Sequence, residues 1–431
     1  MKCAYYSQKP EDEMLVKKQR FKVDSFLFEN AKKRIPVEVG YETWGQLNAA
    51  RDNVILICHF FTGTSHAAGK YAETDPLPGY WDAIIGPKKT IDTDRYFVLS
   101  VDCFSNINFH NPNVVTTGPA SIDPKTGREY GMNFPIFTLD DAVHVQRLLL
   151  ESLGIEKLHA VIGPSMGGLQ AFLWGKYFPE AVERIISIVA TPMVRPWCLM
   201  VPNQLGIDAI KIDPLWCGGN YYGKEPPREG LLNAFKVLLM ATRTDDWAER
   251  NYGRRLAAEG PDPFSSHEGK FLVQEEVEKI VLGRMKFFDP NSYLYIAKAN
   301  ALYDLRDGKE DLKDALQKIK ASVLMIIDQS DLMFTVGQAE LAMEHLPDAH
   351  LHVYDSGNGH LSCLDETHYF AKQIGDFLAK KLEKDAPEEQ SPTNSRKISE
   401  KLNANIPPSG KSRSKMGKTA SASKSQKSSG A

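Results

Sequence analysis

Five consecutive residues constrain this chain more than any bulk property does. Gly163-Pro164-Ser165-Met166-Gly167 is a Gly-x-Ser-x-Gly sequence. It stands between an apolar, β-rich run, His159 to Ile162, and a helix-like run from Leu169 to Phe178 that Pro179 closes. Strand, sharp turn, serine and helix together form a nucleophile elbow. The flanking glycines are expected because the turn is crowded, and a Cβ at either position would meet the neighbouring strand and helix. The turn lifts the serine hydroxyl above the sheet edge. The helix N-terminus then points backbone N–H groups at any negative charge forming beside it.

The rest of the chain supplies the sheet that such a turn requires. Continuous apolar runs occur at Val54–Ile57, Tyr96–Val101, Val161–Ile162, Ile185–Val189, Val323–Ile327 and Leu351–Tyr354. Runs without alternation suit parallel strands buried on both faces. Phe21–Phe28 and Ile35–Trp44 alternate in places, with Val37, Val39 and Tyr41 on one face, and read as antiparallel edge strands. Helical patterns separate several of the runs. The clearest is Leu139–Leu153, with Thr138 as N-cap, Asp141 at N3 and Gly154 as a stop. Strand and helix in alternation predict an α/β fold with a mostly parallel central sheet.

The rhythm breaks between residues 191 and 321. Helical candidates there (230–242, 274–282 and 293–305) are joined by turn-rich loops, which predicts a helical cap inserted into the sheet domain. The expected organisation is therefore core 1–190, cap 191–321, core 322–383 and a Ser/Lys-rich tail 384–431. The tail carries Lys411, Arg413, Lys415, Lys418, Lys424 and Lys427 with few apolar residues. It reads as a solvated, disordered extension rather than a nucleic-acid arm. No apolar run approaches membrane-spanning length, and the first ten residues carry no apolar signal-peptide region. Six cysteines without a framework spacing suit a reducing, cytoplasmic setting. Cys58, Cys103 and Cys198 lie in or beside apolar stretches and read as small core residues. No His/Cys spacing suggests a metal and no phosphate-binding loop is present, so a small-molecule substrate is expected, with no nucleic-acid or membrane partner.

A serine hydroxyl needs an oriented base to act as a nucleophile. On α/β-hydrolase folds the acid and then the histidine follow the serine in the chain. His350 and His352 fall in a strand and His368 in a helix-like segment. His360, in the loop Ser356-Gly357-Asn358-Gly359-His360, can reach the sheet's carboxyl edge and is the expected base. Asp328 and Asp331 both follow the strand 323–327. Asp331 lies farther out, where it can turn towards the histidine, whereas Asp328 is expected to cap the turn. The oxyanion donors are expected from the backbone N–H of Met166 and, in the loop after Val54–Cys58, of Phe61. His59 reads as an organiser of that loop.

These segments resemble the homoserine O-acetyltransferase family of α/β-hydrolases. The similarity runs through Gly163–Ala171, Cys58–Gly63, Asp92–Phe97, Thr117–Ile122 and Phe288–Tyr295, with Ser330-Asp331 and Gly359-His360 where the family carries its acid and base. The resemblance implies a ping-pong mechanism through an acyl-Ser165, acetyl-CoA as donor substrate, no cofactor, and a homodimer. Two positions depart from the family pattern. Leu361 stands where an aspartate usually holds the substrate ammonium. Ile207, four residues after Asn203, stands where an arginine usually meets the carboxylate. The segment Asp102–Asn111 is also longer and less glycine-rich. Leaving a zwitterion's charges unpaired costs several kcal/mol. The expectation is therefore an acyltransferase or esterase with a less polar acceptor, its pocket including Asn203, Ile207 and Leu361. The alternatives are homoserine O-acetyl transfer itself and a non-catalytic binding protein.

Overall fold

The computed structural model describes residues 14–379. An eight-stranded sheet runs through them. Its strands are β1 (Gln19–Phe28), β2 (Lys33–Trp44), β3 (Val54–Cys58), β4 (Phe97–Val101), β5 (Ala160–Pro164), β6 (Arg184–Ile188), β7 (Ser322–Asp328) and β8 (Ala349–Tyr354), in the spatial order β1-β2-β4-β3-β5-β6-β7-β8. β1 and β2 form an antiparallel hairpin and β2 pairs antiparallel with β4. Every pairing from β4 to β8 is parallel.

The continuous apolar runs are explained by what covers the two faces. Val54, Leu56 and Cys58 of β3 join one buried cluster, while Ile55 and Ile57 join the other. Successive side chains of a strand point to opposite faces, so both sets must be apolar when both faces are covered.

Two helices place the site. In α1 (Leu139–Ser152) the Thr138 N–H donates to Asp141 Oδ2 at 2.8 Å, closing a capping box. α2 (Met166–Tyr177) follows the elbow, and eleven of its twelve residues are buried. It begins at Met166 rather than Leu169, because Gly167-Gly168 hides the helical pattern at its start. The glycines permit backbone contact: a Cβ on Gly167 would stand 2.0 Å from the Cys58 carbonyl oxygen of β3.

Between β6 and β7 the described residues fold into helices, the longer ones being Leu205–Lys211, Arg228–Ala241, Asp245–Asn251, Leu272–Arg284, Pro290–Ala301 and Leu312–Gln317. Pro290–Ala301 starts earlier than its apolar pattern suggests. The Asp289 side chain accepts from Ser292 N–H at 2.8 Å, and Pro290 takes the first helical position, where its missing N–H costs nothing. No helix among the described residues is long and apolar enough to cross a membrane. The expected tail, from residue 384 on, lies outside the described residues.

Candidate active site

Ser165 sits at the apex between β5 and α2 with φ 53° and ψ −122°, a region that a residue with a Cβ rarely occupies. The strain is held by the surroundings. Ser165 N–H donates to the Ile188 carbonyl of β6 at 2.8 Å, and its own carbonyl accepts from Gly168 N–H at 2.8 Å and Leu169 N–H at 3.1 Å. A Cβ on Gly163 would lie 2.2 Å from the Gly167 carbonyl carbon. No larger residue fits at this corner without moving backbone.

His360 reaches the same point from the loop after β8. Its Nε2 lies 2.7 Å from Ser165 Oγ and its Nδ1 2.8 Å from Asp331 Oδ2. Asp331 Oδ1 accepts from Met333 N–H at 2.7 Å, which fixes the rotation of the carboxylate. Nδ1–H donating to Asp331 leaves Nε2 with a lone pair for the serine proton. All three side chains are buried. The structure thus brings Ser165, Asp331 and His360 together. The other candidate histidines lie elsewhere: His352 Nε2 contacts the Tyr369 carbonyl, His350 packs on Phe377, and His368 packs at a tilt against Tyr369.

Ser165 and His360 open into a cavity of about 90 Å³, large enough for a short acyl chain. Phe61, Leu361 and Asn203 line it, as do Phe235, Leu239 and Val281 from the helical insertion. Ile207, expected in the pocket, does not line this cavity. With Ile210 it makes the buried side of the helix Leu205–Lys211, which packs on Arg228–Ala241. Arg284 is the single Lys or Arg among the described lining residues, and no Asp or Glu is among them. Sequence reasoning missed Arg284; its place in the last turn of an amphipathic-looking helix gave no sign of the cavity. Met166 N–H is the first of α2, a position that has no intrahelical partner.

The loop carrying Phe61 is tied down from behind. His59 accepts from Cys103 N–H through Nε2 at 3.0 Å and donates from Nδ1 to the Phe60 carbonyl at 2.8 Å. Burial holds its pKa below the ordinary imidazole value. Farther back, Lys18 Nζ bridges Glu42 at 2.8 Å and Asp102 at 3.0 Å, and both acids are fully buried. Asp102 also accepts from Ser65 N–H at 2.7 Å, and Glu42 pairs with His66 at 2.9 Å. Burial pushes the Glu42 carboxyl up, but the His66 hydrogen bond and the Lys18 charge outweigh it, and the net shift is downward. This cluster went unread because its members are scattered along the chain at positions 18, 42, 65, 66 and 102. Cys198 lines the cavity, yet burial first and the Asp331 charge second push its thiol up to about 12, which keeps it protonated and unreactive. Among the described residues no group of His, Cys, Asp and Glu could hold a metal ion.

Comparison with known proteins agrees with this geometry. The α/β-hydrolase fold family matches residues 116–367. A homoserine O-acetyltransferase of Deferribacter desulfuricans is 40% identical over 361 residues, 83% of this chain and 93% of the relative. The chain belongs to the homoserine O-acetyltransferase family of α/β-hydrolases. Among solved structures, the homoserine O-acetyltransferase from Bacillus anthracis superposes with a TM-score of 0.82 at 39% identity, covering 86% of this chain and 99% of that one. A structure of esterase E22 superposes with a TM-score of 0.80 at 38% identity, covering 84% and 100%. Membership in the homoserine O-acetyltransferase family makes the protein an enzyme of the acyltransferase and esterase class.

Proposed function

We propose that the protein transfers an acetyl group from acetyl-CoA to a hydroxyl through an acyl-Ser165. His360 takes the Ser165 proton as the oxygen attacks the thioester carbonyl, and returns it to the departing thiol. Asp331 holds the imidazole in the tautomer with its proton on Nδ1 and steadies the imidazolium. The backbone N–H groups of Met166 and Phe61 receive the oxyanion. An acceptor hydroxyl, deprotonated by the same imidazole, then attacks the acyl carbonyl; the Ser165 Oγ–acyl bond breaks and the imidazolium returns its proton to Ser165 Oγ. The observation that carries this reading is a single buried imidazole within hydrogen-bond reach of both Ser165 and Asp331.

For the acceptor, the relatives favour homoserine: eight at 34–40% identity bear that activity in their names. They support it better than the expectation of a different alcohol. Arg284 is the cavity residue available to its carboxylate. A second reading, hydrolysis or transfer to an uncharged alcohol, is favoured by Leu361 and by the lack of an acid among the described cavity residues, and an esterase shares the fold at 38% identity. Thiol release from acetyl-CoA with and without homoserine, read beside O-acetylhomoserine formation, decides between them. Product above the blank supports the first reading. Thiol release or aryl-acetate cleavage without that product selects the second. Neither activity depending on Ser165 removes both.

A further inference from the structure

Behind the triad lies a carboxylate that the chemistry above leaves unused. Asp328, the last residue of β7, is fully buried. Its Oδ1 accepts the Ser330 N–H at 2.8 Å and the Ser330 hydroxyl at 2.7 Å. Its Oδ2 accepts the Ser362 hydroxyl at 2.7 Å and the Ser356 hydroxyl. These serines belong to the two loops that meet at the site. Ser330 adjoins Asp331, while Ser356 and Ser362 bracket His360.

Each hydroxyl is used twice. Ser330 Oγ accepts from Gly359 N–H at 3.1 Å and Ser356 Oγ from Asn358 N–H at 2.9 Å. Ser362 Oγ meets the Tyr354 hydroxyl at 2.8 Å. A serine has one proton, and an ionised carboxylate only accepts. The carboxylate therefore sets every direction in the network. Each hydroxyl donates inward and keeps a lone pair for the group outside it, which for Ser330 is the N–H of the residue just before His360.

We propose that Asp328 is a positioning residue whose carboxylate fixes the spacing between Asp331 and His360. The inference rests on the reading of Ser165, His360 and Asp331 as the reacting groups. An asparagine of the same size puts an NH2 in place of one oxygen. In place of Oδ2 it faces the Ser356 and Ser362 hydroxyls, and a reversed Ser356 hydroxyl points its proton at Asn358 N–H. In place of Oδ1 it faces the Ser330 N–H and hydroxyl, and a reversed Ser330 hydroxyl points its proton at Gly359 N–H.

The test uses hydrolysis of p-nitrophenyl acetate by the full chain. Asp328→Asn is expected to lower kcat about 10–100-fold, the scale of an ångström-level misplacement, with KM within about threefold. Ser330→Ala should move in the same direction by less, and Ser330→Thr, which keeps the hydroxyl, should restore kcat. A stability role alone would lower the urea midpoint and leave kcat per folded molecule unchanged. A folded Asp328→Asn with kcat within twofold of the parent overturns the proposal. Should that variant not fold, equal kcat for Ser330→Ala and the parent overturns it instead. Ser165→Ala runs beside these: undiminished turnover there defeats the triad reading rather than the positioning one.

Discussion

The backbone at Ser165 allows a stability test whose sign runs against the usual rule. In an ordinary strand or helix, glycine is less stable than alanine by about 0.5–1 kcal/mol. At φ 53° and ψ −122° the order should invert. Ser165→Ala and Ser165→Gly both lose the hydroxyl and its bond to His360, so that loss cancels between them. Alanine keeps a Cβ in a strained region costing roughly 1–3 kcal/mol. Glycine removes the strain and gives back about 0.4–1 kcal/mol through its freer unfolded chain. The difference should favour glycine by about 0–2.6 kcal/mol, centred on about 1.3 kcal/mol, from these same two terms. Urea unfolding followed by tryptophan fluorescence measures it, given equal slopes for the two variants. Neither variant should turn over p-nitrophenyl acetate. An alanine variant more stable than the glycine one would mean that the elbow stores too little strain to offset the glycine entropy and that the backbone argument for the site is wrong.

Four further outcomes are expected. Gly167→Ala places a Cβ 2.0 Å from the Cys58 carbonyl oxygen, and overpacking of this kind costs about 1–3 kcal/mol or more; an unchanged urea midpoint would contradict it. Asp331→Asn removes the acceptor that sets the His360 tautomer, and kcat on p-nitrophenyl acetate should fall about 10³–10⁴-fold, with a loss under tenfold counting against the assignment. At pH 8, iodoacetamide should label exposed Cys217 far faster than Cys198, whose thiol is pushed up to about 12; peptide mass mapping reads the ratio, and comparable rates would refute the burial argument. The downward-shifted Glu42 contributes stability above its ordinary value of 4.5 and loses it as pH falls through the folded value, so Glu42→Gln should flatten the acid limb of a stability–pH curve; an unaltered limb would exclude Glu42 as its source.

What the sequence revealed follows from how local each signal is. The elbow declares itself in five residues because sterics at one corner dictate all of them. The strands were legible because burial on both faces leaves an unbroken apolar run. Asp331 and His360 could be chosen because chain order on this fold brackets where acid and base must fall. Asp328 was read as a turn cap, which captured its bond to Ser330 but not those to Ser356 and Ser362, since only folding brings the two loops together. The helices between residues 196 and 219 stayed hidden because Pro202 and the positive φ of Cys217 and Gly218 break any regular period. Ile207 was assigned to the pocket by resemblance alone, and tertiary packing put it in the core.

The ion cluster behind the loop that carries Phe61 bears on how this chain can be shortened. β1 begins at Gln19, so a truncation drawn at the first ordered strand would look harmless on a topology diagram. It would discard Lys18, the cation lodged between Glu42 and Asp102. Two neighbouring anions would then face each other in a dry interior, a loss on the scale of about 3–5 kcal/mol, against Ser65 just after the loop that carries Phe61. The usable N-terminal boundary of this enzyme lies upstream of its first strand.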